Sequence, residues 1–139
     1  MLRTFMFVHL RMPDVLINKT VYHNPVDYAL HKIGGTWKMP VLWRLKNQPH
    51  RYTELQKDIA HISQKMLTSA LKELEADGFI SKKIYAEVPP RTEYSLTPKG
   101  KKAIEVIEYL RVYGLELMKD EGIDYEAMIR EERKNKKEK

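Results

Sequence analysis

Gln64, Lys65, Thr68, Ser69 and Lys72 are spaced by three and four, so a helix over this stretch would carry all five on one face. Amide, ammonium and hydroxyl groups in such a row are the types that donate to base edges and phosphate oxygens. The acids Glu73, Glu75 and Asp77 come only in the last turns, which leaves the first half of the face without negative charge. An ordinary solvated face intersperses acids with bases. Near a helix N-terminus, the backbone dipole further favours an anion. On the opposite side, Met66 or Leu67, Ala70, Leu71 and Leu74 would lie inward.

The surrounding punctuation says what holds this helix. Ser63 is its natural N-cap and Gly78 its stop. Before it, Tyr52, Leu55 and Ile59 give a helix of about two turns, and "AHIS" makes the turn between them, which is a helix-turn-helix arrangement. Upstream, Asn24 caps a helix that opens on Pro25 and ends at Gly34 and Gly35. A second helix is expected at 36–46, with Trp37, Val41, Leu42 and Leu45 inward and Pro40 tolerated near its first turn. After Gly78 the period changes to 2, so 79–85 and 92–96 read as two strands joined by "AEVPPR".

Thr97 and Pro98 then start a long helix to about Lys119. Its stripe of Ala103, Val106, Ile107, Leu110, Tyr113 and Leu117 is widened by Ile104, Tyr109, Val112, Leu115 and Met118. A helix apolar over so much of its girth needs more than one neighbour, and a partner subunit is expected. The resulting fold class is α+β, mostly α: a winged helix-turn-helix with a two-stranded wing and a long C-terminal dimerisation helix. Residues 1–23 are expected as a poorly ordered arm or short strand, 24–119 as the domain, and 120–139 as a charged tail, either frayed or a short helix around 125–130.

This order of elements assigns roles. The helix starting at Ser63 should enter the major groove, with Gln64, Lys65, Thr68 and Ser69 nearest the bases, Lys72 at the backbone and Ser63 itself among the DNA-contacting residues. Arg51, Lys82, Lys83 and Arg91 should meet phosphates or an adjacent minor groove.

Composition agrees with a polyanionic partner. The formal charge is +6, and 120–139 hold six basic and seven acidic side chains, leaving +7 on the rest. The absence of cysteine excludes disulfides, thiolate metal sites and thiol sensing by this chain's own residues. His9, His23, His31, His50 and His61 lack metal-ligand spacing, so neither metal nor cofactor is expected. No apolar run approaches the roughly 20 residues that cross a bilayer, and the longest near the start, 5–8, is too short for a signal-peptide core. A soluble, cytoplasmic protein is expected.

An enzyme has almost no support, because paired carboxylates, an activated nucleophile and a phosphate loop are all missing; Gly34 and Gly35 lack nucleotide-loop spacing. Tyr28, His31, Trp37 and Trp43 offer lining for a small-molecule effector pocket between the first two helices and the dimer partner, with aromatic core packing the simpler account. A winged-helix protein-interaction module is the competing function. The lack of acids and large apolar residues on the outer row argues against it.

The runs "IGGTWKMPVLWRL" and "RYTELQKDIAHISQKMLTSALKELEADGFISKKIYAEVPPRTEYSLTPKG" resemble the HxlR-type winged-helix transcriptional regulators over about 24–118. The resemblance implies a homodimeric DNA-binding regulator whose first and last domain helices form the interface, which places Tyr28, Ile104, Ile107, Leu110, Tyr113 and Leu117 there. Family members commonly carry a cysteine just before the proline of the first helix, where this chain has Asn24. Sensing through that thiol is therefore not expected, and capping suffices to explain Asn24. Met39, Met66 and Met118 are expected in the core or an interface.

Overall fold

The computed structural model describes residues 14–139. Residues 1–13, which include His9 and most of the expected arm, lie outside the described part. The chain divides into two compact units, one running to Ala103 and one spanning Ile104–Lys139.

The first unit begins with a hairpin of β1 (Val15–Ile17) and β2 (Thr20–Tyr22), turned through Asn18 and Lys19, both at positive φ. Helix α1 (Pro25–Ile33) follows, and the Asn24 side chain accepts the Asp27 N–H at 2.9 Å, the expected cap. Helix α2 spans only Lys38–Arg44, shorter than the expected 36–46. Proline explains the late start. A helix beginning at 36 would need a donated hydrogen bond at position 40, whereas a start at 38 makes Pro40 the third residue, where no intrahelical partner exists for an N–H anyway.

Strand β3 (His50–Arg51), α3 (Tyr52–Asp58) and α4 (Gln64–Ala76) come next, then β4 (Ile80–Tyr85) and β5 (Arg91–Leu96). The sheet order is β3-β5-β4, all antiparallel, with His50 opposite Tyr94 and Lys83 opposite Glu93. The wing therefore has a third strand that the sequence did not announce; two residues carry no readable period. In the core of this unit Val41, Leu42, Leu55, Leu67 and Leu74 are fully buried, joined by Leu45, Ile59, Ile62, Ala70, Leu71, Phe79, Ile80 and Tyr94. Burial, with the Glu75 carboxylate and Tyr52 nearby, pushes the Tyr94 phenol above its ordinary pKa.

The junction after α4 is closed by hydrogen bonds. Phe79 N–H donates to the Leu74 carbonyl at 2.9 Å while Gly78 sits at φ +80°, a left-handed helix stop. The Thr97 hydroxyl donates to Gly78 O at 2.6 Å and accepts from Gly100 N–H at 3.2 Å, so one residue both caps α5 (Pro98–Asp120) and ties its start to the end of α4. A side chain at Gly100 would collide with the Phe79 carbonyl.

In the second unit, α5 continues to Asp120 and α6 covers Tyr125–Lys137, capped by Asp124, which accepts from Ala127 N–H at 3.0 Å. The tail is thus helical over 13 residues, longer than the expected turn or two. Ile104 and Ile107 are buried, whereas Tyr109, Leu110, Tyr113 and Leu117 are exposed.

Neither Met39 nor Met66 lies in the core of the single chain. Met39 and Met66 are exposed; Leu67, about 100° around α4 from Met66, takes the inward position instead.

His61, in the turn between α3 and α4, has φ +63°, a left-handed conformation that costs a residue with a Cβ about 1–2 kcal/mol. His61→Gly should therefore raise stability by about 0.5–1 kcal/mol after the added chain entropy of glycine is subtracted. Urea denaturation reads this directly, and an unchanged or lower midpoint would contradict it.

Candidate nucleic-acid interface

The site is built on α4. Leu67, Ala70, Leu71 and Leu74 turn one side into the core, which fixes the helix about its own axis and forces positions 64, 65, 68, 69 and 72 outward. Gln64, Lys65, Thr68, Ser69 and Lys72 together line one open concavity of the surface. Gln64, Lys65, Ser69 and Lys72 are exposed and Thr68 is half-buried. Neither Lys65 nor Lys72 forms a salt bridge among the described residues.

Two of the three acids at the end of the helix are drawn elsewhere. Glu73 pairs with Lys38 at 3.1 Å and Asp77 with Lys32 at 3.2 Å. The hydrogen bond to Asp77 holds the Lys32 ammonium above its usual pKa. Both carboxylates are thereby offset by cations from α1 and α2, and the outer row keeps its positive character.

Ser63 caps the helix. Its hydroxyl accepts the Met66 N–H at 3.1 Å, which is the N-cap of α4. It lines a second concavity with Trp37, Lys65, Met66 and Ser69. One hydrogen bond was not readable from spacing: the Tyr52 hydroxyl, at the start of α3, donates to Gln64 O at 3.1 Å and lies 3.0 Å from Thr68 Oγ1. Only the packing of α3 across α4 brings residues 12 and 16 positions apart together.

The other cations gather on the wing side. Arg51, Tyr52 and Thr53 share a cleft with 87–92, the wing tip. Arg91 lies 4.0 Å from the Tyr85 ring centroid, and its Nη2 is 3.5 Å from Glu87 Oε1. Lys83 Nζ is 4.7 Å from the same ring centroid, so one tyrosine carries two cations. Lys82 and Lys83 are exposed along β4, whereas the Arg91 side chain is only 25% exposed and its Nε is buried without a hydrogen-bond partner among the described residues. Arg51 pairs loosely with Glu54, 3.9 Å away.

Of the four aromatic residues considered for an effector pocket, two share one neighbour. Tyr28 and His31 each meet Tyr22 edge-on, at 4.9 and 5.2 Å between centroids, while Trp37 opens onto the concavity beside α4 and Trp43 carries Lys46 over its ring. Among the described residues no cluster of histidine and carboxylate side chains has metal-binding geometry. No described helix is long and apolar enough to cross a membrane.

Comparison with known proteins agrees with this architecture. An HTH-type transcriptional regulator of Halalkalibacterium halodurans is 44% identical over 98 residues, covering 70% of this chain and 87% of that protein. An HTH-type transcriptional regulator of Methanothermobacter thermautotrophicus is 46% identical over 89 residues, 64% of this chain and 68% of that one. Among solved structures, the redox regulator HypR in its reduced form superposes with a TM-score of 0.65 at 36% identity, covering 70% of this chain and 95% of HypR. The sequence profile of the HxlR-like helix-turn-helix family matches residues 32–121, which takes in α2 to α5 whole and leaves α6 outside. The chain belongs to the HxlR-like helix-turn-helix family of transcriptional regulators.

Proposed function

We propose that this regulator is sequence-specific, acts in the cytoplasm and binds double-stranded DNA as a homodimer on a pseudo-palindromic operator. The observation that carries the reading is the outer row of α4, in which two lysines without ionic partners among the described residues stand beside amide and hydroxyl groups while Glu73 and Asp77 are paired away. In the major groove Gln64, Lys65, Thr68 and Ser69 meet base edges, and Lys72 meets backbone. Lys82 and Lys83, with Arg51 and Arg91 behind them, hold flanking phosphates.

The exposed Tyr109, Leu110, Tyr113 and Leu117 on α5 support a second copy, because large apolar side chains clustered on one helix call for a cover. Tyr28 on α1 joins that interface. Ile104 and Ile107 are buried in the single chain already and act there as a foundation for it. Two recognition helices related by a two-fold axis would then sit about 34 Å apart, one turn of DNA. The redox regulation that names HypR has no thiol to run through in these 139 residues.

The wing lysines supply the test. Lys82→Ala and Lys83→Ala should each weaken binding to operator and random DNA alike and reduce the slope of log affinity against log salt by about 0.9, one phosphate contact apiece. Unchanged slopes for both would remove the wing from the interface.

A further inference from the structure

Thr68 sits in the middle of the outer row of α4, and its hydroxyl lies 3.0 Å from the Tyr52 hydroxyl, which donates to the carbonyl of Gln64 at 3.1 Å. A phenol has one proton and a backbone carbonyl has none. The short contact to Gln64 O therefore consumes the Tyr52 proton, and the contact to Thr68 can be a hydrogen bond only if Thr68 donates. With its proton spent on Tyr52, Thr68 Oγ1 keeps lone pairs alone, beside its methyl group.

We infer that Tyr52 is a positioning residue that fixes the hydrogen-bond polarity of Thr68, so that Thr68 reads an exocyclic amino group, cytosine N4 or adenine N6, and discriminates against guanine and thymine at that position. The inference rests on the reading of α4 as the recognition helix. In the major groove, cytosine and adenine each present an amino donor, whereas guanine presents N7 and O6 and thymine O4, all acceptors. An acceptor-only hydroxyl complements the first pair and faces the second with lone pair against lone pair. A freely rotating threonine hydroxyl would serve either. The sequence row alone could not show this, since Thr68 reads there as a group of both polarities.

The half-buried positions of Tyr52 and Thr68 also explain why the constraint survives at a surface. Tyr52 is the first residue of α3 and is half-buried, so its ring direction is set by the helix-turn-helix packing and not by the DNA. Gln64 O and Thr68 are one helical turn apart on α4, and Tyr52 spans them.

The experiment measures affinity for an operator series with all four bases placed in turn at each half-site position, for wild type, Tyr52→Phe and Thr68→Val, with thermal melting of each variant as a fold control. The expected result is one position per half-site where wild type prefers cytosine or adenine about tenfold over guanine and thymine. Tyr52→Phe, which frees the threonine proton, should collapse the preference at that position and leave the other positions as they are; Thr68→Val, without any polar atom, should collapse the same position. A Tyr52→Phe protein that folds and keeps the wild-type preference everywhere overturns the inference while the recognition-helix reading stands. Collapse of all positions together in Tyr52→Phe gives Tyr52 a merely structural role and overturns it too. Absence of base preference at every position in wild type overturns both. Should Tyr52→Phe fail to fold, Thr68→Val alone decides: loss of a preference for guanine or thymine would refute the assigned polarity.

Discussion

Leu67→Ala should lower the free energy of unfolding by about 3 kcal/mol, within the usual 2–5 kcal/mol for emptying a fully packed leucine site. Leu67 has no exposed surface and, with Ala70, Leu71 and Leu74, seats α4 in the core. Against a total stability of about 5–15 kcal/mol such a loss is large. Urea denaturation of Leu67→Ala beside Lys72→Ala gives the contrast: Lys72 lies exposed on the opposite face and its substitution should change stability by less than about 0.5 kcal/mol. Similar midpoints for the two variants would mean that the face assigned to the core does not hold the helix.

The second large effect falls on binding. Gln64→Ala and Lys65→Ala should each weaken binding to the operator by about tenfold to a hundredfold, the range for one good base-edge contact. Loss on random DNA should be small for Gln64→Ala, which removes no charge, and moderate for Lys65→Ala, which removes one of the counter-charges that all DNA feels. The contrast with the wing is the informative part: Lys82→Ala and Lys83→Ala should lower both affinities together. Competition binding on operator and random duplexes at matched salt measures all four, and equal losses on both DNAs for all four would contradict the division of labour between α4 and the wing.

Much of the fold is legible in the sequence because its signals are local. Asn24, Ser63 and Thr97 cap the helices they are expected to cap, each through a side-chain oxygen accepting a backbone N–H three residues on. Gly78 stops α4 because its positive φ is cheap for glycine. The change from period 3.6 to period 2 marks β4 and β5. What escaped is either too short or non-local. β3 has two residues, and its pairing with β5 is a long-range fact. The hairpin at 15–22 turns through Asn18 and Lys19 in left-handed conformations, and nothing in their order announces it.

The outer row was legible as a row, since helical spacing and the position of the acids suffice to find it. Its electrostatics were not: the pairing of Glu73 with Lys38 and of Asp77 with Lys32 depends on how α1 and α2 pack beside α4. Nor could spacing show Arg91 held against Tyr85 and Glu87 while Lys82 and Lys83 stand exposed. Side chains with the same donors differ in what the fold leaves them to donate to.

The most direct test of the central claim is selection of bound sequences from a random double-stranded DNA pool at about 150 mM salt, where backbone attraction is damped. The account predicts enrichment of an inverted repeat whose half-sites lie about one helical turn apart. A pool that stays flat through repeated rounds would contradict sequence-specific binding by α4.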